Sequence, residues 1–199
     1  MKNFTNLFFT ITLFFTIACN NNTSDKGVVI NGVTWATRNV NSAGTFADHP
    51  EDAGMMYQWN RKTAWKPEGS VSGWNNSKPT GSTWERENDP SPAGWRVPTL
   101  AELKTLLDTA HVHHEWAVQN GVCGRKFTDK HTGNSLFLPA AGFRQYENGD
   151  LFIVGAIGNY WSSTQQNETY AYIMYIISSD AVWHNHSRRC GVTIRPVAE

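Results

Sequence analysis

From Gly158 to Glu199 the chain is written as strand, loop and strand, and this stretch limits the fold more than any other. Tyr170 to Ile177 is an unbroken apolar run of strand length. A pleated strand sends alternate side chains to opposite faces. Tyr170, Tyr172, Met174 and Ile176 therefore share one face, and Ala171, Ile173, Tyr175 and Ile177 the other. Because both faces are apolar, two readings stand. Either the strand is buried on both sides, or Ile173, Tyr175 and Ile177 form an exposed patch for a partner. Gly191 to Val197 reads as a last strand. Between the two lies Trp183 to Cys190, too polar for a core and too aromatic for an idle loop. The predicted ligand-binding surface is Ile173, Tyr175, Ile177, Trp183, His184, Asn185, His186 and Arg189.

The N-terminal residues read as an address. Lys2 supplies a positive start, Leu7 to Ile17 is apolar but too short to span a bilayer as a helix, and Ala18 precedes Cys19. This resembles a bacterial lipoprotein signal, although Thr16 stands where such boxes usually carry Leu. The expected organisation is a signal peptide over 1–18, a lipidated Cys19 with a polar tether over 19–27, and one domain over 28–199. The location that follows is an outer-membrane lipoprotein at the cell surface or on the periplasmic face, held to the membrane by lipid only. An ordinary secretory signal with an incidental cysteine is the alternative.

Nine Trp, ten Phe, six Tyr and 16 Gly against only 17% charged residues describe a loop-rich fold stapled by aromatics. With 17 basic and 17 acidic residues, nothing seeks nucleic acid by bulk charge. Cys123 and Cys190 either form one disulfide or remain thiols. Val28 to Trp35 reads as a first strand with a turn at Asn31-Gly32, expected to pair with Val192 to Val197. Trp65, Trp74 and Trp84, in the long irregular stretch from Lys62 to Pro92, read as staples.

Thr99 and Glu102 form a capping box for a helix carrying Leu100, Leu103, Leu106 and Leu107, expected to end near Asp108 to Ala110. His111, His113, His114 and Glu115 then read as a solvated helix end in preference to a zinc site, since no second ligand cluster has suitable spacing. Phe143 to Tyr146 and Leu151 to Val154 read as a hairpin through Asn148-Gly149. One or two helices and about seven short strands define an α+β class.

Four motifs in series carry a resemblance: Gly94 to Thr99 with Glu102, Leu138 to Arg144, Tyr160 to Thr164, and Arg195 to Val197. Together they resemble the Fibrobacter succinogenes major paralogous domain of Bacteroides-type lipoproteins. The resemblance implies a C-type-lectin-like fold, with a small twisted antiparallel sheet supporting long loops. Many members carry a cysteine before the Gly-Trp motif and another after the final Arg. Here those places hold Ser91 or Pro92, and Pro196, so that link is absent.

Some domains of this type are variable proteins of diversity-generating retroelements. Ile173, Tyr175, Ile177, His184, Asn185, His186, Ser187, Arg189 and Cys190 align with the places such proteins vary, and all nine are residue types reachable from an AAC codon by changing its first two bases.

The function expected is a non-catalytic, cofactor-free and calcium-independent binding module for a protein or glycan. Calcium-using lectins of that fold carry Trp-Asn-Asp, of which Trp183-His184-Asn185 is only a shadow. An enzyme of the formylglycine-generating type is the first alternative, but it needs reactive cysteines and Cys190 has no partner thiol. A structural or adhesive appendage subunit is the second, and Asn20 to Lys26 is too polar and short for a donor strand.

Overall fold

The computed structural model describes residues 24–199. The signal peptide over 1–18 and the lipidation site Cys19 lie outside the described residues.

The first hairpin meets the last strand. Strands β1 (Val28–Ile30) and β2 (Val33–Trp35) form a hairpin whose turn residues, Asn31 and Gly32, have φ of 45° and 79°. Asn tolerates and Gly favours that left-handed region, as the dipeptide predicts. The last strand, β15 (Val197–Ala198), pairs Val197 with Trp35. On its other side β15 pairs with β5 (Trp95–Arg96), completing a four-stranded sheet. That ladder, with the Glu199 amide donating to the Gly94 carbonyl at 3.1 Å, joins the segments that the missing cysteine pair would have joined.

The central sheet has six strands in the order β13-β12-β11-β14-β3-β4. These are β3 (Met56–Tyr57), β4 (Ala64–Trp65), β11 (Ile157–Gln165), β12 (Tyr170–Ile177), β13 (Ala181–Ser187) and β14 (Val192–Thr193). The predicted last strand is thus split, since Val192 joins the central sheet while Val197 joins the terminal one. Ala171, Ile173, Met174 and Ile176 of β12 are all buried. Met174 and Ile176 pack with Leu103, Leu106 and Phe127, whereas Ala171 and Ile173 pack with Trp59, Trp84 and Trp161. Both faces of the strand are therefore packed along most of its length.

The α+β, C-type-lectin-like expectation is overturned. Among the described residues there is one α-helix, α1 (Leu100–Thr105), of six residues, against four sheets, so the architecture is nearly all β. The capping box at Thr99 and Glu102 is present as read, with Glu102 also bonded to Arg96 at 2.6 Å. The helix stops at Thr105, and Leu106 to His111 make turns that lead into strand β6 (Val112–Gln119). His111 closes the turn and His113, His114 and Glu115 lie in the strand, so the cluster is no helix end.

Strand β6 pairs with β7 (Val122–Asp129) over eight residues, and β7 with β8 (Ser135–Pro139), giving a third sheet. Its tight turn is Asn120-Gly121, with φ of 47° and 84°, the strongest short hairpin signal in a sequence. The fourth sheet is β9 (Phe143–Arg144) with β10 (Leu151–Phe152), the hairpin expected from Asn148-Gly149.

Three buried arginines hold the loops. Arg144 donates to the carbonyls of Lys66, Glu68, Gly69 and Gly149 at 2.6 to 2.9 Å. Arg195 reaches the carbonyls of Ala36, Thr37 and Pro50 and the Asn39 side chain, and burial lowers its pKa to about 10. Arg188 lies over the Trp59 ring at 4.0 Å and bonds the carbonyls of Thr80, Gly81 and Glu168. Backbone carbonyls buried in irregular chain need donors, and one guanidinium carries five. The tryptophans assist, with Trp65 on Trp74 at 4.8 Å and Trp59 on Trp84 at 5.7 Å.

Candidate functional site

On the loop side of β11, β12 and β13 the sheet is left open, forming a cleft of about 500 Å³. The register fixes its floor, because Asn159 lies opposite Tyr175 and Ile173 opposite His184. Residues opposite one another on antiparallel strands share a face. Ile173, Tyr175, His184 and His186 therefore converge, and all four line the cleft with Asn185.

The facing wall is the β9–β10 hairpin, which supplies Phe143 and Ile153. Gly142 and Gly158, bridged in parallel, bring the two parts together. A Cβ at Gly158 would lie 2.8 Å from Ile176, and one at Gly142 only 2.3 Å from the Phe152 carbonyl, so both positions require glycine. Ile153 has φ of 53°, a genuine outlier for a β-branched residue. Phe152, Ile153 and Val154 are 45%, 46% and 56% exposed, an apolar lip beside an apolar hollow.

No charged side chain lines the cleft. His186 packs edge-on against Phe143 at 4.7 Å, and its Nδ1 accepts the Ser187 amide at 3.0 Å. Accepting there requires an unprotonated Nδ1, which places the ring proton on Nε2. Burial, with the nearby His184, pushes the imidazole pKa down to about 4. Asn159 is 2% exposed and its Oδ1, shut away from solvent, has no hydrogen-bond partner among the described residues. An unpaired buried amide costs about 1–3 kcal/mol.

The burial of His186 has a consequence for stability. Its folded pKa of about 4 lies below the ordinary imidazole value of 6.5, so the unfolded chain binds its proton first as pH falls. The stability it contributes is whole above about pH 6.5 and is lost as pH falls towards 4. Between pH 7 and 5 the domain should lose about 2 kcal/mol through this group. Urea melts at the two pH values should show a smaller difference in His186→Leu than in the wild type. Equal differences would exclude the group.

Several predicted residues lie elsewhere. Trp183 is opposite Met174 on the other face of the sheet, against Tyr172 and 4.6 Å from the Lys104 ammonium. Alternation puts it there, since it lies between His184 and Val182, whose side chains take the cleft side. Ile173 is 2% exposed and forms floor, not exposed patch. Ile177 lies beyond the cleft, its carbonyl held by Arg125 at 2.8 Å. Arg189 stacks on Tyr146 at 4.5 Å and donates to the Asn76 carbonyl. Cys123 and Cys190 are free thiols, so the possible disulfide is not formed.

The histidines of β6 do not converge. His114 accepts from Arg125 at 2.7 Å, whereas His113 lies 3.9 Å from Glu115. Among the described residues no group of three or more His, Cys, Asp or Glu is placed to hold a metal.

Four sheets, loops clamped by buried arginines and a cleft at a sheet edge define a loop-rich β domain. The chain belongs to the Lcl C-terminal domain family, whose model matches residues 31–198. That membership supports the lipoprotein-type, surface-associated character read from the sequence. No curated protein and no solved structure gives a significant match.

Proposed function

We propose that this domain is a non-catalytic, calcium-independent binding module of a cell-envelope lipoprotein, anchored in the outer membrane through Cys19. Its recognition surface is the cleft between β11–β13 and the β9–β10 hairpin. The observation that carries this reading is the convergence of apolar walls and an exposed apolar lip with a few polar side chains, Tyr175, His184 and Asn185, the composition of a ligand pocket. The ligand is a protein or a glycan.

A catalytic reading would need an activated group, and Cys190, the one cysteine near the cleft-forming strands, is buried with its pKa pushed up to about 12. Its thiol stays protonated at neutral pH, which opposes a nucleophilic role. We extend the proposal to diversification by a retroelement, supported by five of the nine aligned positions, Ile173, Tyr175, His184, Asn185 and His186, lining one cleft. A reverse transcriptase and a near-copy of the last codons beside the gene would establish it, and a locus without them would remove it.

Ile153 tests the binding surface. Holding a β-branched residue in the left-handed region costs about 1–2 kcal/mol, a strain that belongs to functional sites. Ile153→Gly should keep stability or raise it by up to about 1 kcal/mol, yet weaken binding of an array-identified ligand about tenfold. Undiminished binding would remove the lip from the site.

A further inference from the structure

We propose that the occupant of the cleft is an uncharged sugar whose hydroxyl groups bridge two imidazoles of opposite hydrogen-bonding sense, His184 accepting and His186 donating. This rests on the reading of the cleft as a binding surface and names what it binds.

The backbone of β13 sets the two rings. His184 and His186 stand two residues apart on one face of the strand, about 7 Å along it, and both line the cleft. Nδ1 of His184 lies 2.8 Å from the Asn185 carbonyl, which can only accept, so this nitrogen carries the ring proton. Nδ1 of His186 lies 3.0 Å from the Ser187 amide, which donates, so here the proton sits on Nε2. A neutral imidazole has one donor and one acceptor. Each Nδ1 is spent on the strand's own backbone. What the pair offers a ligand is therefore an acceptor at Nε2 of His184 and a donor at Nε2 of His186.

The walls select the rest of the ligand. Phe143 and Ile153 from the hairpin and Ile173 from the floor are apolar, with Tyr175 half-buried among the liners. With no charged residue lining the cleft, an ionised group would enter without a counter-charge, so the ligand is neutral. A volume of about 500 Å³ is that of a small-molecule pocket. A single tyrosine or glutamine from a partner protein brings one polar group at the tip of one side chain, which cannot serve two opposed partners so far apart. A pyranose carries hydroxyls on successive carbons beside an apolar C–H face, and every hydroxyl both donates and accepts. One hydroxyl gives its proton to His184 while another takes the proton of His186, and the C–H face meets the apolar wall.

The probe is a printed array of neutral oligosaccharides of hexose and N-acetylhexosamine, with the sialylated and sulfated forms of the same chains. The strongest neutral binder is then titrated in solution against the wild type, His184→Phe and His184→Gln, with folding checked by thermal melts. Phenylalanine keeps a ring and removes the acceptor, whereas glutamine returns a neutral amide near the Nε2 position. The expected result is preference for the neutral chains, a loss of about tenfold in His184→Phe and affinity within about threefold in His184→Gln. Monodeoxy forms of the same chain probe the bond from the ligand's side. Loss of the hydroxyl that meets His184 should cost the wild type about tenfold and His184→Phe nothing further, since both deletions remove one bond. Should His184→Phe fail to fold, the deoxy series on the wild type supplies the measurement, with losses expected at two hydroxyls and not at the rest.

Preference for the sialylated or sulfated chains, or equal affinity across the variants and the deoxy series, would overturn the sugar bridge. If no glycan binds while a peptide from a phage-displayed random library does and is lost in Tyr175→Ala, the sugar inference fails and the binding cleft stands. If neither glycans nor peptides bind the wild type, both readings fail.

Discussion

Arg144→Ala should destabilise the domain by about 4 kcal/mol or more, lowering Tm by roughly 8–16 °C for a chain of this size. The side chain is fully buried and serves four carbonyls, three of them on the Lys66–Gly69 loop and one at Gly149. Each carbonyl left buried without a donor costs about 1–3 kcal/mol, and partial relaxation of the loop limits the sum. No carboxylate is needed for this role. Burial lowers the Arg144 pKa, with Asp150 opposing, and the charge is tolerated because four of its five N–H groups are directed at carbonyl dipoles. Arg144→Lys should recover only part of the loss, because an ammonium has three donors and no planar fork. Thermal melts of both variants check the point, and an Arg144→Ala protein as stable as the wild type would show that the loop is held by Trp65 and Trp74 alone.

How far the sequence disclosed this structure depends on the range of the forces involved. Local chemistry was legible: the Thr99–Glu102 capping box, the Asn31-Gly32 and Asn148-Gly149 turns, and the extent of β12 all appear as read. The class was misjudged because Leu106 and Leu107 continue a helical spacing that the chain abandons after Thr105. Tertiary packing on Phe127 and Met174 decides those leucines, and spacing alone cannot show it. Asn120-Gly121 did announce the β6–β7 hairpin and would have shifted the balance to β.

Within the site, residues on one strand were legible by period and residues from separate segments were not. Ile173, Tyr175, His184, Asn185 and His186 come together in the cleft, whereas Asn159 joins them through the β11–β12 register and Phe143 and Ile153 through the Gly142–Gly158 approach. Trp183 lies apart from the cleft because the run from Trp183 to His186 is strand and not loop, so alternation divides it between two faces.

That division yields the sharpest prediction about binding. Tyr175→Ala combined with His184→Ala should abolish ligand binding, a loss of about a hundredfold, with a stability change of no more than about 2 kcal/mol. Trp183→Ala, on the opposite face, removes the contacts with Tyr172 and Lys104 and should cost about 1 kcal/mol of stability while leaving affinity within about twofold. One sequence stretch thus gives two opposite outcomes. The measurement to make first is binding of the wild type, the Tyr175/His184 double variant and Trp183→Ala to the same peptide and neutral-glycan arrays, with folding checked by melts. Signal in the wild type and in Trp183→Ala, absent from the double variant, is the predicted result. Binding that survives in the folded double variant, or that disappears with Trp183 alone, would place recognition off the cleft and contradict the account.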